Sequence, residues 1–299
     1  MKRILLFLAL SAAGTLGGQD MDVTAQKYTG WNSGNLIFNK QALIAGPRNT
    51  YGVNFCQQKP GGNGETSFYM VLTEPRRQGG FGQHQCRFLR MEVNGIDMQR
   101  IMPQERDFKI WKKGRTAGAD MTFRFDGANI ILSAYMAEDS PMLFLRFRPA
   151  ETQLEPLRKF RIHLVVQVGG INGILKAKDT AARTAARELA GKPWQQAENM
   201  LNPEDRWLIF YDRKLDGSGK DKGFGPSLLL LPQDFSNLNR AELILPDDTL
   251  ASVILDVKAD FRELTLGIWQ NKAAISNKDF FRLFGERKKD FTVIHTPEK

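Results

Sequence analysis

Apolar and polar positions alternate along most of this chain. In Thr122-Phe123-Arg124-Phe125-Asp126 the two phenylalanines fall on one face and the polar residues on the other, the period of a half-buried strand. Asp126-Gly127 follows, and Ile130-Ile131-Leu132-Ser133-Ala134-Tyr135 takes up the pattern again. This predicts a hairpin, because Asp-Gly readily adopts the positive φ angles of a tight turn. A second hairpin is predicted from Cys86 through Val93, across Asn94-Gly95 and back through Ile96 to Ile101. Further strands are expected at 67–72, 141–148, 160–168, 207–211, 227–231, 241–245, 251–257, 261–269 and 291–295, short runs rich in β-branched and aromatic residues and bounded by turns. Short connections between successive strands imply antiparallel sheets.

Two segments depart from this period. The run Ala181-Ala182-Arg183-Thr184-Ala185-Ala186-Arg187-Glu188-Leu189 predicts a helix over 178–190, with Asp179 or Thr180 as its cap and Gly191 as its stop, and a helical or loop segment is expected to continue to 201. Near the end, Ser276-Asn277-Lys278-Asp279 reads as a capping box that opens a short helix over 280–285. The predicted fold is therefore mainly β: a large antiparallel β-sandwich with a helical insertion near 178–201 and a short C-terminal helix. Residues 19–299 read as a single large sandwich domain, and 170–205 is where the chain would divide if there were two.

The first eighteen residues stand apart from that domain. Lys2 and Arg3 precede the apolar run Ile4-Leu5-Leu6-Phe7-Leu8-Ala9-Leu10, which is too short for a mature membrane span. Small residues follow, at Ser11-Ala12-Ala13 and again at Leu16-Gly17-Gly18. This is the pattern of a signal peptide over 1–18, and it predicts export to a bacterial periplasm or the extracellular space. No later segment reaches the ~18 apolar residues of a membrane helix, and the longest run, over 227–231, stops at Pro232.

Of the 299 residues 42% are hydrophobic and 25% charged, with a formal net charge of +9, which places the chain among ordinary globular proteins with a basic surface. Scattered basic residues suit a solvated face or an acidic polysaccharide. No basic cluster is interleaved with aromatics in the manner of an RNA-binding motif, so nucleic acid is not expected as a partner. The only cysteines, Cys56 and Cys86, each lie in or beside a predicted strand. In an oxidising compartment such a pair reads as a disulfide, contributing ~2–4 kcal/mol.

Candidate chemistry is sparse. The segment Asp212 to Asp221 has the oxygen-rich, glycine-turned look of a calcium loop, but Lys214 stands at its third position and Gly223 at its twelfth, so a polar hairpin tip is expected. His84, His163 and His295 have no partner at zinc spacing, and neither a metal nor a cofactor is expected. His84 lies in a glycine-rich loop just before Cys86, where a loop on a rigid scaffold serves binding well. Asp256, Asp260 and Glu263 cluster about a turn, and the glycine-rich 60–64 lacks the strand-to-helix setting of a phosphate loop. Trp31 and Trp111 have the most exposed neighbours of the tryptophans, and Trp111 is followed closely by Lys112, Lys113 and Arg115. His84, Trp111, Trp31 and Arg115 are thus the candidate ligand-binding residues; no catalytic residue is assigned.

The stretch from Met121 through the hairpin to Ala137-Glu138-Asp139-Ser140-Pro141 and on to Leu143-Phe144-Leu145-Arg146-Phe147 resembles the galactose-mutarotase-like super-sandwich domains of carbohydrate-active enzymes. There, too, two long alternating strands are followed by an acidic, small and proline step into an apolar strand. The resemblance implies a carbohydrate partner and, since the catalytic groups of the multidomain members usually lie in a separate helical domain, no catalytic residue. The leading expectation is an exported carbohydrate-binding protein that works on or beside polysaccharide. The alternatives are a glycosidase, lyase or epimerase on the same scaffold, and a non-catalytic envelope or assembly protein.

Overall fold

A computed structural model describes residues 22–28, 31–33, 36–58, 67–74, 80–81, 88–101, 107–168, 177–191, 198–218, 223, 225–246 and 250–297. The expected signal peptide, the loop 60–64, His84 and Cys86 lie outside the described residues.

The chain begins with β1 (Thr24–Tyr28), β2 (Trp31–Ser33), β3 (Leu36–Ala45), β4 (Thr50–Gln58), β5 (Ser67–Glu74), β6 (Leu89–Val93) and β7 (Ile96–Asp97). Then come β8 (Phe108–Lys113), β9 (Thr116–Phe125), β10 (Ala128–Ala137), β11 (Leu143–Pro149), β12 (Phe160–Gln167), β13 (Thr180–Thr184), β14 (Glu188–Ala190) and β15 (Glu198–Met200). The last strands are β16 (Trp207–Asp212), β17 (Ser227–Leu230), β18 (Leu238–Ile244), β19 (Leu250–Val257) and β20 (Leu264–Gln270), followed by α1 (Asn277–Glu286) and α2 (Lys288–Thr292). Among the described residues these strands make two antiparallel sheets. The first has eleven strands, with β1-β3-β4-β5-β6-β12-β19-β18-β15 as its path and β2 and β7 paired to β3 and β6. The second has nine, in the order β14-β13-β16-β17-β20-β11-β10-β9-β8. Both predicted tight turns form, with Asn94 and Gly95 at φ 50° and 86° and Asp126 and Gly127 at 44° and 99°. No helix among the described residues is long and apolar enough to cross a membrane.

Alternation places the core. Phe123, Phe125, Leu132, Leu145, Phe147, Leu266 and Phe210 of the second sheet and Tyr51, Phe55, Leu72, Met91, Ile162, Leu164 and Leu255 of the first belong to one buried apolar cluster between the sheets. A second cluster lies outside the second sheet, where Phe280, Phe284 and Phe291 of the C-terminal helices close over Trp207, Ile209, Leu228, Leu230 and Trp269. Ser276 caps α1 as predicted, its hydroxyl accepting from the Asp279 amide at 3.0 Å.

Three expectations fail. The helical insertion is absent among the described residues of 178–201: 180–184 and 188–190 are strands, and 198–200 is a short strand at the edge of the first sheet. Helix propensity gives way to packing here. Ala182 points into the core, Ala181 lies under the helical cap, and both are fully buried, so the small alanine side chains let β13 fit between two apolar layers. The strand expected over 291–295 is also missing, because α2 turns Phe291 inward to meet the edge of Trp269 at 5.4 Å. Nor is the Cys56–Cys86 disulfide formed. Cys56 is a free thiol on β4, buried on the outer face of the first sheet with Tyr69 and Val71. Burial pushes its pKa far up, which keeps it protonated and unreactive.

His163 on β12 has its pKa lowered, chiefly by burial and secondly by the cations of Arg90 and Arg161. The folded state then holds the proton less tightly than the unfolded chain, whose histidine titrates near 6.5. Stability is expected to be complete above about pH 6.5 and to fall as pH drops through that value. His163→Gln should flatten this part of the profile in urea unfolding measured between pH 7 and 5.

Candidate binding face

The cap covers only part of the outer face of the second sheet. From β20 under the edge of the cap out to β8, side chains sit in rows set by strand register. One row runs Lys109, Asp120, Ser133, Arg146, Thr265, and the next runs Trp111, Gly118, Tyr135, Phe144, Gly267. Within each row a small residue separates longer ones, which therefore reach across it. A Cβ on Gly118 would stand 2.4 Å from the Ala134 carbonyl oxygen and 2.5 Å from Tyr135 Cβ. With glycine there, the rings of Trp111 and Tyr135, two strands apart, approach to 5.9 Å at a tilt of 41°. In the neighbouring row Ser133 leaves room for Arg148 of β11 to span β10 and bond Asp120 of β9.

Asp120 is the pivot. Its Oδ1 accepts from Trp111 Nε1 at 2.8 Å and its Oδ2 from an Arg148 Nη at 3.2 Å, which fixes the orientation of both partners. Arg146 lies with its guanidinium 6.0 Å from the Tyr135 ring centroid and 3.9 Å from Glu263. Ser133 Oγ, Arg146 Nε and Arg148 Nε are buried with no hydrogen-bond partner among the described residues. Tyr135 donates its hydroxyl to the His295 carbonyl at 2.7 Å, and burial raises its pKa strongly, against the opposing charge of Arg146. Trp111 is half-buried, and the side chains of Asp120 and Arg148 keep 26% and 38% of their exposure. The face thus offers solvent an aromatic ring, a carboxylate and two guanidinium groups, all held in place.

The sequence-derived candidates are dispersed. Trp111 belongs to this face. Arg115, at the end of the same hairpin, is exposed and bonds Glu138 at 2.7 Å beside a depression that also involves Asp139 and His295. Trp31 is in β2 of the first sheet, and His84 lies outside the described residues. Asp256 is occupied by Arg161 at 2.6 Å, and Asp212 is buried, accepting backbone amides. Among the described residues no group of three His, Cys, Asp or Glu side chains is arranged to hold a metal ion. Asp120, Ser133, Arg146 and Arg148 were not singled out in the sequence. Their one legible signal was the Asp126-Gly127 turn, which fixes the hairpin register and so sets Asp120 opposite Ser133.

No family model matches the chain, and no curated protein matches it. Several solved structures are similar. The α-N-acetylgalactosaminidase NagBb of Bifidobacterium bifidum, ligand-free, is 7% identical over 88% of this chain and 39% of its own, with a TM-score of 0.43. A TPR-domain containing protein of Parabacteroides distasonis is 7% identical over 86% of this chain and 55% of its own, at 0.44. The GH36 α-galactosidase AgaB of Geobacillus stearothermophilus is 8% identical over 78% of this chain and 40% of its own, at 0.39. The chain therefore spans about two fifths of the length of these glycosidases.

Proposed function

We propose that the protein is an exported carbohydrate-binding protein and that a saccharide docks on the outer face of the second sheet, against Trp111. The observation that carries this reading is the joint placement of Trp111 and Arg148 on the two oxygens of Asp120. A pyranose has an apolar C–H face and a rim of hydroxyls. An indole held at a fixed angle suits the first, and a carboxylate beside a guanidinium, able to accept and donate together, suits the second. Export rests on the amino-terminal pattern alone.

The test is a panel of neutral and acidic glycans presented to the protein, with each bound glycan recovered and sized. Binding of at least one glycan, recovered intact, is expected. Trp111→Ala should weaken it at least tenfold, equivalent to ~1.4 kcal/mol. Trp111→Phe keeps a stacking ring but not the bond to Asp120 and should fall between. Silence across the panel, or a Trp111→Ala variant that binds like the parent, defeats the reading.

A further inference from the structure

At the opposite edge of the second sheet a groove lies between the β13–β14 hairpin and the C-terminal helices. It comprises two cavities of about 460 and 590 Å³ that share Ala185, Ala186, Trp207 and Lys288. Arg206 lines the first and Arg183 the second, and Lys288 lines both. Among the described residues none of these three cations has an ion pair, and Arg183 lies over the ring of Phe281 at 5.4 Å. The other charges are largely committed: Arg187 to the buried Asp205 at 3.0 Å, and Glu188 to Arg213 at 3.1 Å. Glu204 is the remaining carboxylate of the lining. The excess is positive.

Arg206 adds an independent observation. Its backbone is left-handed, at φ 50°, a conformation unfavourable for a long L side chain and natural for glycine. Its carbonyl accepts from the Leu231 amide at 2.9 Å and the following Trp207 amide bonds the Asp205 carbonyl, so the strain is held by the sheet. A costly arginine where glycine fits better points to a role for its charge.

We propose that this groove binds the anionic group, carboxylate or sulfate, of an acidic saccharide unit, with Arg183, Arg206 and Lys288 as its contacts. The saccharide rests on the function proposed above; the anion follows from the groove itself. The experiment is calorimetric titration of the full chain with a six-unit oligogalacturonate and with an uncharged gluco-oligosaccharide of equal length. The acidic ligand should bind at least tenfold tighter, and less tightly as salt is raised. Arg206→Gly should abolish most of that preference while leaving the Tm unchanged or higher, so the loss is not one of folding. Arg183→Gln with Lys288→Gln should act likewise, and Trp111→Ala should leave the preference for acid in place. Equal affinity for the two ligands, or variants that retain the preference, overturns the proposal. So does a poly-glutamate peptide that binds as tightly and with the same dependence on Arg206, which would make the groove a protein-docking site. If Trp111→Ala changes nothing while Arg206→Gly does, the reading of the Trp111 face fails and the groove stands.

Discussion

Replacing Phe280 by alanine is expected to cost about 3–5 kcal/mol, measured as the shift in the urea midpoint at unchanged slope. Phe280 is fully buried at the centre of the cap. Its ring lies 5.0 Å from that of Trp269 at a tilt of 32°, and 6.0 Å from that of Phe284. Trp269 in turn meets Phe291, so one truncation undercuts contacts of both helices with the sheet. The floor beneath is not a rim that water can wet cheaply, since Leu228, Ile209, Phe144 and Ala181 are fully buried there. Neighbouring Phe281, only half-buried, serves as the control, and its alanine variant should lose about 1 kcal/mol. Equal losses at the two positions would show that the cap has no packed centre.

The second large effect is expected at Asp212. Its carboxylate, fully buried, accepts the Lys178 and Asp179 amides on Oδ2 at 2.6 and 3.1 Å, and the Lys214 and Leu215 amides on Oδ1 at 2.8 Å each. Its backbone carbonyl accepts from Asn277 Nδ2 at 2.8 Å, and the Asn277 amide donates to the Asp216 carbonyl at 2.8 Å. Asp212 therefore ties the entry to β13, the turn after β16 and the start of α1 together. Asp212→Ala leaves four amides without their acceptor and should destabilise by about 2–4 kcal/mol. Asp212→Asn restores one acceptor oxygen but sets an amino group against the other two donors, so it should recover only part of the loss. Thermal melting of the three proteins checks the order.

Turns were the most legible part of this fold in the sequence, because Asn94-Gly95 and Asp126-Gly127 have few alternatives to positive φ. The second half of β9 was legible for a similar reason, the alternation over 122–126 naming the buried face, whereas β10 is buried on both faces and its pattern names neither. The alanine-rich segment was misleading: propensity describes a peptide in water, whereas Ala181 and Ala182 are sealed between two apolar layers that exist only in the assembled protein. Exposed neighbours mark Trp111 in the sequence, whereas its place on the candidate face is set by Asp120 and Arg148. Register brings Arg148 to that place through β10–β11, whose connection is longer than a two-residue turn and does not dictate a pairing. A face assembled from four strands has no local signature. The cysteines misled because a lone pair fits an oxidised bridge in composition, while burial of Cys56 against Tyr69 and Val71 depends on contacts across the sheet.

The place of the last two strands sets the order in which the protein can be made. β19 lies between β12 and β18, and β20 between β11 and β17, so the final strands are interior to both sheets. Leu143 waits for Ile268 and Phe160 for Val257. Without those residues each sheet lacks an interior strand, and the strands on either side of the gap keep unpaired hydrogen-bonding edges. Loop-closure entropy over such separations makes the joining step slow. A chain truncated before residue 250 is therefore expected to aggregate, which light scattering of that fragment beside the full chain would check.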